Sequence, residues 1–216
     1  MTELLGTYPE IRKGVSSSYG GNQMLSDNAV IRKCGCGPVA ALDLTLYLKS
    51  QRSASAPHCF PLVYYNEKLG QLCRRYFPLV PPFGINGFLF IMGLDRLFRD
   101  EGLPYRAQWS MSGGKLWARV EAMLRQDLPV ILSVGPNFPA VWEKHRLTFY
   151  HRTEDGRFLP ASGAKSHYVT ATGLDKEWLR IASWGREFYI RRSEYDSFVK
   201  QHSTYLFSNL VYLKRI

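Results

Sequence analysis

The apolar pattern of the chain changes near Pro129, and this change limits the folds that the chain can adopt. Before Pro129, apolar residues recur at helical spacing in four segments, 38–49, 62–77, 87–101 and 113–126. After it, β-branched and aromatic runs between turn residues predict strands at 130–134, 147–150, 168–172, 178–182 and 187–190. A helix at 193–200 and a strand at 205–214 follow. Helices followed by an antiparallel sheet predict the α+β class.

Length and terminal composition predict a single soluble domain. Residues 1–35 are rich in Gly, Ser and Asn, and their apolar residues follow neither the helical nor the strand period, so we expect an ordered loop there. The length of 216 residues fits one packed core, which predicts one domain over 1–216. The chain lacks a signal-peptide pattern, and no apolar run approaches the ~18 residues of a membrane span. We therefore expect a cytoplasmic protein without membrane insertion, with its four cysteines as free thiols.

The formal net charge of +10 invites comparison with nucleic-acid-binding proteins, in which clustered Lys and Arg neutralise phosphates. Here the basic residues come as short pairs spread along the chain, such as Arg12-Lys13, Arg74-Arg75 and Arg191-Arg192, without a nucleic-acid motif. This pattern indicates a solvated surface, or attraction of an anionic substrate, rather than a nucleic-acid partner.

The stretch most indicative of chemistry is Cys34-Gly35-Cys36-Gly37-Pro38. A cysteine just before an apolar helix has its sulfur near the helix N-terminus, where unpaired N–H groups and the positive dipole end favour the thiolate. Glycines on both sides leave that sulfur approachable, which a buried structural cysteine does not require. Cys36 is therefore the predicted nucleophile. A zinc site at Cys34-x-Cys36 is less well supported, because the spacing is short and no second ligand pair completes the site.

A nucleophilic thiol needs a base, and His167 is the best placed of the five histidines. It directly precedes the predicted strand 168–172, and a strand end holds a side chain rigidly. The other four lie in polar or charged stretches or near the C-terminus, and we expect them at the surface: His58, His145, His151 and His202.

Three short motifs are spread over most of the chain. They are Gly35-Cys36-Gly37-Pro38 entering a helix, His167-Tyr168-Val169 entering a strand, and Ser183-Trp184-Gly185. Together they resemble the papain-like cysteine peptidases, and most of all the branch that includes the bacteriocin-leader peptidases. The separation of 167 − 36 = 131 residues lies in the range of ~130 to 150 residues by which papain-type histidines follow their cysteine.

The resemblance implies a papain-like fold, with the nucleophile helix in an N-terminal helical half and the histidine on a C-terminal antiparallel sheet. It implies a bacterial protein that acts on a peptide or protein substrate and uses no metal or other cofactor. Cys36 attacks an acyl carbonyl, His167 transfers the proton to the leaving amine, and water releases the acyl-thioester.

The family also has an oxyanion donor and a residue that orients the histidine. Gln23 matches the donor, together with the backbone N–H of Cys36. The separation of 36 − 23 = 13 residues is longer than usual in the family, so Asn28 is the alternative. Family members carry Asn or Asp as the orienting residue, whereas this chain has Ser183. Serine supplies no charge, so the pair of Cys36 and His167 is either a working dyad or a weakened one. Trp184 is expected to shield the histidine from water.

Three functions therefore stay open. The first is a peptidase-like thiol hydrolase. The second is an amidase, acyltransferase or transglutaminase-like enzyme with the same Cys-His pair. The third is a peptide-binding module with weakened catalysis, which the absence of an Asn or Asp at Ser183 favours.

Overall fold

Helices predominate in the first half of the chain in the computed structural model, which describes residues 1–53, 55–110 and 113–216. The helices are α1 (Ala29–Cys34), α2 (Cys36–Ser50), α3 (Leu62–Arg75), α4 (Gly87–Asp100), α5 (Leu116–Leu124) and α6 (Arg192–His202). Short 3-10 turns at Gln23–Leu25 and Gly113–Lys115 precede α1 and α5. None of the helices in these ranges combines the length and the apolar character that a membrane span requires.

Strands predominate in the second half. They are β1 (Thr2–Glu3), β2 (Glu10–Lys13), β3 (Ser16–Tyr19), β4 (Cys59–Pro61), β5 (Tyr105–Trp109), β6 (Val130–Val134), β7 (Leu147–Arg152), β8 (Phe158–Ala164), β9 (His167–Leu174), β10 (Trp178–Ser183), β11 (Arg186–Arg191) and β12 (Leu210–Arg215).

The chain divides into two compact units. The first unit comprises Met1–Leu4, Ser110–Ala182 and Glu187–Tyr212, and the second comprises Leu5–Trp109, Ser183–Arg186 and Leu213–Ile216. In the first unit the strand order is β12-β6-β9-β10-β11-β7-β8, and β1 also pairs with β9. The strand pairs of this sheet whose register is described are antiparallel.

The centre of the first unit is the pair β6 and β9. Their register runs from Val130 opposite Ala171 to Val134 opposite His167. Every residue of β6 is buried, as expected for a continuous apolar run at the centre of a covered sheet. Helix α5 lies against β9, and the Tyr195 hydroxyl of α6 donates a hydrogen bond of 3.0 Å to the carbonyl oxygen of Ser133. These contacts hold both helices on the sheet.

The second unit is built around α2, which is buried from Gly37 to Leu48. Helices α3 and α4 pack against α2, and α4 buries one face through Phe90, Leu94 and Leu97 at helical spacing. A small sheet of order β3-β2-β4 lies in the same unit, with β2 antiparallel to β3 and parallel to β4.

The α+β class and the large antiparallel sheet predicted from the sequence are confirmed. The prediction that 1–35 forms a loop is wrong, because β1, β2, β3 and α1 lie there. Strand β3 reads Ser-Ser-Ser-Tyr, which lacks the apolar alternation of a half-buried strand, and its pairing with β2 stabilises it instead. The final strand is also shorter than predicted, since it begins at Leu210.

Two glycines in helix interiors should respond in opposite ways to the same substitution. A Cβ atom at Gly93 in α4 would lie 2.5 Å from the carbonyl oxygen of Tyr76 and 2.6 Å from the Phe77 ring. A Cβ atom at Gly70 in α3 would approach only the end of the Arg74 side chain, at 3.5 Å.

We expect Gly93→Ala to lower the free energy of unfolding by about 1 to 3 kcal/mol through overpacking. Gly70→Ala should raise it by about 0.5 to 1 kcal/mol, because alanine is the better helix former. Urea unfolding of the two variants measures both effects. Equal shifts of the same sign would contradict the packing described around α4.

Candidate functional site

Cys36 is the first residue of α2 and is half-buried. Gly35 caps the helix, and a Cβ atom there would lie 2.5 Å from the carbonyl oxygen of Ile31, so a larger residue does not fit. Pro38 lies in the first turn of α2, where the missing N–H is not needed for the helical hydrogen bonds, and Cys36 and Gly37 before it carry backbone N–H groups. The Cys36 sulfur therefore lies where the helix presents its partial positive charge.

The segment that contains Gln23 is attached to α2 by the buried carboxylate of Asp43, a residue that is 3% exposed. It accepts hydrogen bonds from the backbone N–H of Gly21, at 3.1 and 2.9 Å to its two oxygens. The Tyr65 hydroxyl donates to it at 2.7 Å and the Tyr8 hydroxyl at 3.4 Å. Asp43 thus joins α2, α3 and two N-terminal segments through one side chain.

Burial is the main influence on the Asp43 carboxyl and raises its pKa to about 6. The hydrogen bonds from Gly21, Tyr65 and Tyr8 act in the opposite direction and offset only part of this effect. The loop approaches closely, since a Cβ atom at Gly21 would collide with the Tyr65 hydroxyl oxygen, and one at Gly20 would lie 2.6 Å from Asp43 Oδ2. Glycines are therefore required at both positions.

Gln23 is buried, and its side chain is hydrogen-bonded to the last turn of α1. Its Nε2 donates a hydrogen bond of 3.0 Å to the carbonyl oxygen of Arg32, which lies four residues before Cys36 in the sequence (36 − 32 = 4). Helix α1 fills the long separation between Gln23 and Cys36. An amide nitrogen carries two hydrogens, and this bond uses one of them.

Asn28 has a different position. Its Oδ1 accepts hydrogen bonds from the backbone N–H groups of Val30 and Ile31, at 2.8 and 3.2 Å, so it is the N-cap of α1. The side chain lies at the exposed start of that helix. Of the two candidates, Gln23 and not Asn28 has a side chain that is buried beside the end of α1.

Trp184 and Gly185 form the tight turn between β10, which ends at Ser183, and β11. Trp184 has φ of 49° and Gly185 has φ of 73°, a pair of left-handed residues typical of a type I′ hairpin. Such a φ is strained for tryptophan, and strained residues cluster at functional sites. The Gly185 carbonyl accepts a 3.0 Å hydrogen bond from the Tyr19 N–H, so within the second unit this turn contacts the segment that leads to Gln23. Ser183 itself is buried.

His167 belongs to the first unit, at the start of β9, opposite Val134 of β6. It is 8% exposed, and the Phe149 ring lies 6.4 Å from its ring between centroids. Burial lowers the pKa of the imidazole to about 3, so the ring is neutral at physiological pH. The other three predicted residues, Cys36, Gln23 and Ser183, belong to the second unit.

The remaining cysteines differ from Cys36 in their surroundings. Burial raises the pKa of Cys73 to about 12 and also raises the pKa of Cys34 above its ordinary value. Both thiols therefore stay protonated at neutral pH and are poor nucleophiles. Cys59 lies half-buried in β4, three residues before α3 begins at Leu62, and is not itself a helix residue as Cys36 is.

Asp43 is the residue that the sequence reasoning missed. The signal was present, because Asp43 interrupts an otherwise apolar helix at a position flanked by Leu42 and Leu44. Aspartate is almost never fully buried unless it is paired, so a carboxylate in such a place indicates a polar network.

The raised pKa of Asp43 predicts a loss of stability as pH rises. In the unfolded chain the carboxyl releases its proton near pH 3.9, whereas in the folded protein it does so near 6. Between these values the folded state binds more protons, so the free energy of unfolding falls by about 2 kcal/mol as pH rises from 4 to 7. In Asp43→Asn this contribution should be missing. Urea unfolding at several pH values checks the difference, and an identical pH dependence in both proteins would contradict the network.

For His167 we predict the opposite effect, in which the free energy of unfolding rises with pH. Its folded pKa of about 3 lies below the unfolded value near 6.5, so the unfolded state binds more protons between them. Its contribution to the free energy of unfolding should rise by about 3 kcal/mol from pH 4 to 6.5 and should vanish in His167→Gln. The same unfolding series measures it. If the substitution leaves the slope unchanged, His167 is not buried as described.

In comparisons with protein-family models, with curated proteins and with solved structures, the chain has no match. A function for it is therefore proposed from the chemistry of the side chains described above.

Proposed function

We propose that this chain is a papain-like thiol hydrolase that cleaves a peptide or amide bond, with Cys36 as nucleophile and His167 as general base. The observation that carries the proposal is the position of Cys36. It is a half-buried thiol at the first residue of a helix whose following turns are buried, between two glycines. A helix N-terminus favours the thiolate and places backbone donors beside it.

In the proposed reaction the Cys36 sulfur forms a bond to the acyl carbon of the substrate while its proton passes to the His167 imidazole. The carbonyl oxygen becomes an oxyanion, which accepts hydrogen bonds from the Cys36 N–H and from Gln23 Nε2. The carbon–nitrogen bond then breaks, and the imidazolium returns the proton to the leaving amine. Water attacks the acyl-thioester, and the carboxylate product leaves with the thiol restored.

His167 is neutral at physiological pH, which is the protonation state that a proton acceptor requires. An imidazole with a pKa lowered by burial is a weak base in the resting protein. A thiolate formed beside it would raise that pKa, since a nearby negative charge stabilises the imidazolium. Proton transfer and attack are therefore expected to occur together, only when a substrate is bound.

The Asp43 network supports the oxyanion role of Gln23. The hydrogen bonds to Gly21 place the loop before Gln23 on the same helix that begins with Cys36. Donors that are held in place before the reaction stabilise an oxyanion without reorganisation. Asp43 is thus a positioning residue in this proposal.

Labelling by a cysteine-directed electrophile with a peptide-like recognition group tests the proposal. We expect stoichiometric labelling of Cys36 under reducing conditions at pH 7.5, no labelling of Cys36→Ala, and full labelling of Cys59→Ala, the matched half-buried control. His167→Gln should slow labelling by about 100-fold or more, the range of general-base contributions. Equal labelling of the wild type and Cys36→Ala, or an unchanged rate in His167→Gln, would contradict the proposal.

A further inference from the structure

A second cluster of reactive side chains lies in the first unit. Glu143 and His145 belong to the segment between β6 and β7, and His202 is the last residue of α6. The ligand atoms of the three side chains all lie within 4.8 Å of one another. His145 Nε2 is 3.0 Å from a Glu143 carboxylate oxygen, and the two imidazole rings stack with centroids 3.8 Å apart.

The backbone around this cluster is held by two adjacent residues. Asn137 Nδ2 donates a hydrogen bond of 3.2 Å to the carbonyl oxygen of His145. The N–H of Phe138 donates one of 3.0 Å to the carbonyl oxygen of His202. Two histidines that are 202 − 145 = 57 residues apart are therefore fixed to one short segment. These bonds fix the backbone that carries the two imidazoles.

Asn137, which holds the backbone of His145, has a buried side-chain oxygen with room for a further hydrogen-bond partner. Asn137 is 3% exposed, and within the described ranges its Oδ1 has no hydrogen-bond partner. Buried polar atoms are normally satisfied, and an ordered water or an ion with its water shell is the usual partner where protein atoms are missing.

We propose that Glu143, His145 and His202 bind a divalent transition-metal ion, for which Zn²⁺ is the best fit. Two imidazoles and one carboxylate are a donor set that suits zinc and leaves a fourth position for water. Ligand atoms about 2.1 Å from a tetrahedral ion are about 3.4 Å apart. The distance of 3.0 Å from His145 Nε2 to the Glu143 carboxylate is already that short, and the other separations, which are within 4.8 Å, must contract by at most about 1.4 Å.

Binding requires the two rings to leave their stacked arrangement. Their planes are 21° apart, and imidazole lone pairs lie in the ring plane, so stacked rings cannot both point at one ion. The side chain of His145 is 48% exposed and can change its rotamer without disturbing a core. Metal binding would then connect the β6–β7 segment to the end of α6.

Zinc titration of the full chain, followed by calorimetry, tests the site. All proteins carry Cys36→Ala, so that this thiol does not compete for the ion. We expect one Zn²⁺ per chain, a dissociation constant at least about 100-fold weaker in His145→Ala and Glu143→Gln, and no change in His151→Ala, an exposed histidine outside the cluster.

Absence of zinc binding, or binding that neither His145→Ala nor Glu143→Gln weakens, would overturn the proposal. Equal weakening by the control His151→Ala would also overturn it, because binding would then be a general property of surface histidines. Substitution with Co²⁺ gives a second readout, since a site of nitrogen and oxygen ligands produces visible absorption without a sulfur charge-transfer band. None of these results depends on the reaction proposed for Cys36.

Discussion

The arrangement of the second unit depends on the hydrogen bonds that the buried Asp43 carboxylate accepts. The carboxylate accepts hydrogen bonds from Gly21, Tyr65 and Tyr8, which belong to three different segments, and it lies on the helix that begins with Cys36. A carboxylate can accept several hydrogen bonds at once, so it is well suited to join backbone and hydroxyl donors at one point. The cost is desolvation, which is visible in the pKa raised to about 6.

Asp43 and His167 are buried ionisable groups, one in each unit, whose contributions to stability change with pH in opposite directions. Burial disfavours the charged form of each, which raises the pKa of an acid and lowers that of a base. Neither group is needed for stability alone, because a protein with well-packed apolar residues of similar size at such positions is often at least as stable. The presence of the two groups therefore favours a role in positioning or in chemistry.

The sequence was sufficient for features that depend on local patterning. The run Val130–Val134 is predicted residue for residue, and α2 is predicted to within two residues at its start, because apolar period and helix-starting residues act locally. Strand β3 could not be predicted, since its serines become a strand only through pairing with β2. The same limit applies to the Asp43 network and to the cluster of Glu143, His145 and His202, whose members are brought together by tertiary structure.

The central claim is that Cys36 and His167 act on one another, and a bifunctional alkylating reagent tests it most directly. The reagent carries two reactive carbons separated by one carbonyl group and reacts first with a thiol. A catalytic pair within about 3 to 4 Å should be joined by it, so peptide mapping should recover Cys36 linked to His167. Recovery of Cys36 with a hydrolysed second arm, or linked to another residue, would contradict the account.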